Sequence, residues 1–200
     1  MEHRFPSPVE SHGNTMQNAT HHCGNAFGLE SQFRQNIHGK GKMMALSLIS
    51  AAFEAGGNIP AIHTCDGTNV SPPLSWSGVP SGAKSLALIV EDPDAPDPAA
   101  PQRVWTHWLL YNIPPDAAGL PQDVRLRDLP PGTREGINDW KDAGFGGPCP
   151  PIGRHRYFHT LYALDKLLPD LGKPAKAELE KAMQGHIIEQ AELIGLYQRT

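Results

Sequence analysis

Twenty prolines and twenty glycines punctuate this chain of 200 residues, falling in clusters that leave only short uninterrupted runs between them. Proline removes a backbone donor and fixes φ, and glycine favours turns, so a chain broken up this often has little room for long helices. The surviving runs are apolar and β-prone: Leu46 to Phe53, Leu74 to Trp76, Ser85 to Glu91, His107 to Ile113 and Tyr157 to Leu164. Short strands at such spacing predict a mainly β protein, a sandwich or barrel. The segments between them, including Asp92 to Pro101, Pro130-Pro131-Gly132 and Gly144 to Gly153, read as stiff loops outside the sheets. Loops of this kind can hold a site at little ordering cost.

Two stretches depart from the strand pattern. Lys176 to Met183 is a run of good helix formers with Pro174 before it and Gly185 after it, and predicts one short helix. His186 to Tyr197 is apolar enough to rejoin the core, and a strand is favoured there. Residues 1–43 are rich in His, Asn, Gly, Ser and Gln without periodicity and read as a disordered N-terminal extension. Met43 and Met44 stand where the composition turns globular, which suggests a translation start placed too early and a folded domain spanning 44–200. The His21-His22-Cys23 cluster has no scaffold to fix metal geometry and carries no functional weight.

Charge narrows the function classes. Seventeen Lys and Arg against 21 Asp and Glu give a net charge of -4, with no basic field for a nucleic-acid backbone. No stretch approaches the roughly 20 apolar residues of a membrane span, and no secretory signal is visible, so a cytoplasmic protein is expected. Three cysteines, Cys23, Cys65 and Cys149, do not make a disulfide framework, although a Cys65–Cys149 pair stays open.

Three elements carry chemistry. Asp92-Pro93-Asp94-Ala95-Pro96 follows directly on an apolar strand, so two carboxylates stand at a strand end on a stiffened backbone. In isolation such a motif serves equally well to cap turn amides. Trp105-Thr106-His107-Trp108 sets a histidine at a strand start between tryptophans, either as a tuned proton carrier or as a satisfied core histidine. Gly146-Gly147-Pro148-Cys149-Pro150-Pro151 runs into His155-Arg156-Tyr157, a loop whose amides can approach a ligand, or one that merely connects.

Together, and in this order, the three elements resemble the phosphatidylethanolamine-binding proteins. Cys65-Asp66-Gly67, Asn69 to Leu74 and Gly147-Pro148-Cys149-Pro150-Pro151 are similar in particular to the bacterial and archaeal branch, the Raf kinase inhibitor-like proteins. The resemblance runs from about Leu46 to Gln198. It implies an antiparallel β-sandwich with a few peripheral short helices, and a pocket for a small anion or phospholipid head group. Carried over by position, that pocket comprises Asp92, Asp94, His107, Gly146, Gly147, Pro148, His155 and Tyr157. His107 and His155 would donate N–H groups, the 146–148 backbone would add amides, and affinity for the anion would fall as pH rises through the histidine range. The resemblance further implies a non-catalytic protein without cofactor, able to regulate a kinase or protease by contact and compatible with a homodimer. Two departures bear on ligand preference: Asp97-Pro98-Ala99-Ala100-Pro101 replaces a usual small polar residue, and Phe145 stands where a tyrosine is common.

Two other classes compete with this binder. A small hydrolase could use the Asp and His groups, but there is no Gly-x-Ser-x-Gly elbow and Cys149 lies between prolines. A metal site could draw on His63, Cys65, Asp66, His107, Cys149 and His155, but their spacing lacks the paired ligands of zinc sites, so none is expected.

Overall fold

The computed structural model describes residues 44–199; the extension expected over 1–43 lies outside them. Eight strands form two antiparallel sheets: β1 (Ser47–Ile49), β2 (Leu74–Ser77), β3 (Ser85–Asp92), β4 (Trp105–Ile113), β5 (Gly119–Leu120), β6 (Arg134–Glu135), β7 (His155–Leu164) and β8 (Ile187–Tyr197). The larger sheet has the order β6-β4-β3-β7-β8 and the smaller β1-β2-β5. The helix α1 occupies Lys176–Met183, as its start and stop signals predict, and the segment after it returns as strand β8, as favoured. The first expected strand is shorter than its apolar run. Only Ser47–Ile49 pairs, and the chain then bends through Ser50, whose hydroxyl donates to the Pro73 carbonyl.

The unbroken apolar run of β3 has a simple cause: the strand is covered on both faces. Leu86, Leu88 and Val90 face the smaller sheet and join the main core with Trp76, Trp108 and Leu161. Ala87 and Ile89 point the other way, into a second core beneath α1 with Leu109, Tyr111, Leu179 and Met183. Strand side chains alternate with a period of two, so a strand buried on one face only would need polar residues at alternate positions. Here there are none from Leu86 to Val90, and the strand ends on Glu91 and the buried Asp92.

Strand β4 is interrupted twice. Near Asn112, whose φ of 56° is left-handed, its pairing with β3 shifts, and the Asn112 side chain is fixed by bonds to both backbone groups of Leu168. The second shift falls between the Val90–Trp108 and Glu91–Thr106 pairs and leaves His107 without a residue opposite. Such a bulge re-aims a side chain at the end of a sheet, and this one shapes the site.

Candidate functional site

Strands β3, β4 and β7 end at the same edge of the larger sheet, and a cavity of about 280 Å³ opens there. Asp92 comes from the last position of β3, His107 from the bulge in β4 and His155 from the first position of β7. Ala95, Pro96, Trp105, Trp140, Pro150 and Pro151 form walls that are almost wholly apolar.

Asp92 and His155 are a unit. His155 Nδ1 lies 2.7 Å from Asp92 Oδ2, while Nε2 lies 3.0 Å from the Ile152 carbonyl, and the ring is fully buried. Both ring nitrogens thus meet protein acceptors. The other Asp92 oxygen accepts the Asp94 amide at 2.8 Å. Burial pushes the Asp92 carboxyl above the ordinary carboxylate range, and the hydrogen bond from His155 draws it part of the way back. Both Asp92 oxygens are thereby engaged by the protein, by His155 on one side and by the Asp94 amide on the other.

His107 has the opposite role to the one expected of it. Its Nδ1 lies 2.7 Å from the Gly146 carbonyl, which fixes the N–H there, and burial drives its pKa down to about 4. At neutral pH the ring is therefore uncharged. Among the described residues Nε2 has no partner, so what it offers the cavity is a lone pair instead of the N–H donor expected from sequence. Tyr157 stands edge-on to the His107 ring at 5.2 Å and stacks on His155 at 6.4 Å; its buried hydroxyl is unpartnered and burial holds it protonated.

The remaining residues assigned from sequence serve as scaffold. Asp94 accepts three hydrogen bonds from Arg156, one from its amide and two from its guanidinium, and that guanidinium holds its carboxyl below the usual range. The loop amides expected to meet a ligand meet protein: Gly146 N–H donates to the His107 carbonyl and Gly147 N–H to Asn69 Oδ1. Pro148 has no N–H, and its carbonyl accepts from Cys65. The glycines are required for another reason. A Cβ on Gly146 would lie 2.5 Å from the Trp140 ring, and one on Gly147 would lie 2.4 Å from Asn69 Oδ1 and from the His63 carbonyl.

Trp140 escaped the sequence reading. Its ring stands edge-on to Trp105 at 5.2 Å and to His107 at 5.0 Å, and Asp139 clamps its loop to β4 by accepting the Thr106 amide. A tryptophan a few residues before a Gly-Gly loop was the available signal. Phe145 packs edge-on against Trp108 in the main core, so the tyrosine-to-phenylalanine departure alters the sandwich side of this loop.

Cys65 and Cys149 form a disulfide across 84 residues, answering the pairing that sequence left open. Both half-cystines are solvent-exposed, and Cys149 lines the cavity. The two thiols are thereby withdrawn from metal binding and from nucleophilic use. The other residues of the metal alternative are dispersed: Asp66 pairs with Arg199 and Tyr197, and His63 Nδ1 bonds the Val70 carbonyl.

A β-sandwich with one small cavity at its strand ends, walled by stiff loops, defines a binding-type protein. The family model described as phosphatidylethanolamine-binding protein matches residues 49–198, and the chain belongs to that family. A UPF0098 protein of Methanothermobacter thermautotrophicus is 52% identical over 155 residues, covering 77% of this chain and 99% of its own. The crystal structure of the homologue CT736 from Chlamydia trachomatis shares 42% identity with a TM-score of 0.72, over 78% of this chain and 99% of that one. YbcL of E. coli, described as a new member of the mammalian PEBP family, shares 35% identity with a TM-score of 0.71, over 78% and 100%.

Proposed function

We propose that the cavity receives a small phosphate-bearing ligand, of the size of a phosphoethanolamine head group, and binds it without turnover. The observation that carries this reading is the open lone pair on His107 Nε2 beside an Asp92 carboxyl already engaged by His155. A phosphomonoester that keeps one proton can donate it to Nε2, and its alkyl portion meets the proline and tryptophan walls. The volume of about 280 Å³ suits a head group better than a lipid with its chains. Hydrolysis is disfavoured because, among the described residues, the one cysteine lining the cavity, Cys149, is tied up as a disulfide.

The test is an NMR titration with phosphoethanolamine and inorganic phosphate at pH 6 and pH 8, beside His107→Phe. For phosphoethanolamine, saturable binding at pH 6 that weakens at pH 8 is expected, because the second ionisation of a phosphomonoester, near pH 6, removes the proton that His107 accepts; inorganic phosphate keeps one hydrogen at both pH values and should weaken less. The variant should lose binding while keeping a native near-UV spectrum. Release of inorganic phosphate from phosphoethanolamine would replace the binder with a hydrolase. No helix among the described residues is long and apolar enough to cross a membrane. The exposed disulfide favours an oxidising compartment over the cytoplasm expected from sequence. Contact regulation of a kinase or protease, and a homodimer, are further proposals that affinity capture and ultracentrifugation would test.

A further inference from the structure

Among the described residues, no lysine or arginine lines the cavity that the preceding reading gives to an anion. His107 is uncharged at neutral pH and His155 is hydrogen-bonded to Asp92. Of the arginines that flank the lining loops, Arg156 is paired with Asp94, and Arg154 keeps its charge but is turned to the Asn58 amide oxygen at 2.6 Å. A monoanion entering such a place would lose hydration with no opposite charge in return.

Arg103 is placed against the cavity wall. Its guanidinium carbon stands 3.9 Å from the centroid of the Trp105 ring, one wall of the cavity. The amides of Gln102 and Arg103 both donate to the Ala95 carbonyl, at 2.9 and 3.2 Å, which ties this segment to the turn forming the adjacent wall. The side chain is exposed and has no carboxylate partner among the described residues. A guanidinium held over an indole face still has N–H groups to offer, and a phosphate can take two at once.

We propose that Arg103, held on Trp105 at the rim, is the counter-ion of the bound phosphate and selects anionic ligands for the cavity. His107 takes the ligand's proton and Arg103 answers its charge, so two different features of a phosphomonoester are recognised by two residues. This inference rests on the binder reading. Lys141, which follows Trp140 in a left-handed turn at φ 69°, provides a control for the general electrostatic field.

The experiment titrates inorganic phosphate into the wild type, Arg103→Gln, Arg103→Lys and Lys141→Gln at pH 6 in low and moderate salt. Arg103→Gln should weaken binding by about tenfold or more and flatten its salt dependence, Arg103→Lys should recover part of the loss, and Lys141→Gln should stay within about twofold of wild type. Wild-type saturation that Arg103→Gln leaves unchanged would overturn the counter-ion alone. Equal losses in the Arg103 and Lys141 variants would also overturn it, in favour of a diffuse field. A wild type that binds no phosphate at millimolar concentration would remove the binder reading and the counter-ion with it.

Discussion

Reduction of the Cys65–Cys149 disulfide should cost the protein much stability and little of its cavity. The bridge closes a loop with a sequence separation of 84 residues, and cross-linking so long a loop restricts the unfolded chain far more than the folded one. Chain-entropy scaling gives about 4 to 5 kcal/mol for a loop of that length, an upper figure because residual structure in the unfolded chain reduces it. For a domain of this size that corresponds to a fall in Tm of roughly 10–18 °C. The native side changes less, because the same two loops are held by other bonds. The Cys65 amide donates to the Pro148 carbonyl at 3.0 Å, the Gly147 amide donates to Asn69 at 2.8 Å, and Asp66 is pinned by Arg199. Exposure of both half-cystines allows a small dithiol to act on the folded protein. The assay is thermal and urea unfolding with and without dithiothreitol, beside Cys65→Ser with Cys149→Ser, and each sample is also titrated with phosphate. The expected result is a large drop in Tm with phosphate affinity within about threefold. A drop of only a few degrees would refute the chain-entropy argument, and loss of binding in a still-folded reduced protein would refute the claim that the hydrogen bonds suffice.

Three further outcomes follow from the geometry. Burial pushes both His107 and His159 down to about 4, below the value near 6.5 that each regains on unfolding. The unfolded chain then binds the extra protons between these values, so stability is complete above about pH 6.5 and falls as pH drops toward 4, by about 3 kcal/mol per histidine at most. Asp92, raised by burial, opposes this in part. Urea midpoints at pH 7 and pH 5 should differ, and His159→Gln should shrink the difference; identical midpoints would defeat the account. Gly147→Ala should cost about 1–3 kcal/mol, since its Cβ would lie 2.4 Å from Asn69 Oδ1 and the His63 carbonyl; a Tm equal to wild type would show that the loops yield freely. Asp94→Asn should remove the bidentate pair with Arg156 for about 1–2 kcal/mol, a figure kept low because the arginine is half exposed; chemical denaturation reads it, and no change at pH 7 would count against a structural role for Asp94.

Elements with a strong period were legible in the sequence, and contacts between distant elements were not. Strands β3, β4 and β7 follow from apolar runs bounded by proline and glycine, and α1 from its flanking signals. The Asp92–His155 pair joins residues 63 apart, and only the register that sets Glu91 opposite Phe158 brings those strand ends together. His107 was expected to present an N–H to the cavity, and the structure commits that N–H to the Gly146 carbonyl. A bulge cannot be read from strand periodicity, and its burial, which decides whether the ring donates or accepts, depends on Trp140 and Tyr157 from other elements. The glycine amides were misassigned for a related reason. Close approach was correctly inferred, but what comes close is the protein's own Trp140, Asn69 and His63.

The lone pair on His107 Nε2 bears on a problem that size and shape cannot solve. Sulfate and phosphate are nearly isosteric tetrahedral oxyanions, and a cavity built from cations or amide donors would accept either. Near neutral pH sulfate has no hydrogen to give, whereas phosphate carries at least one. On the proposed reading, a buried acceptor that is not itself protonated until about pH 4 would sort the two oxyanions by their hydrogens, admitting phosphate and turning sulfate away.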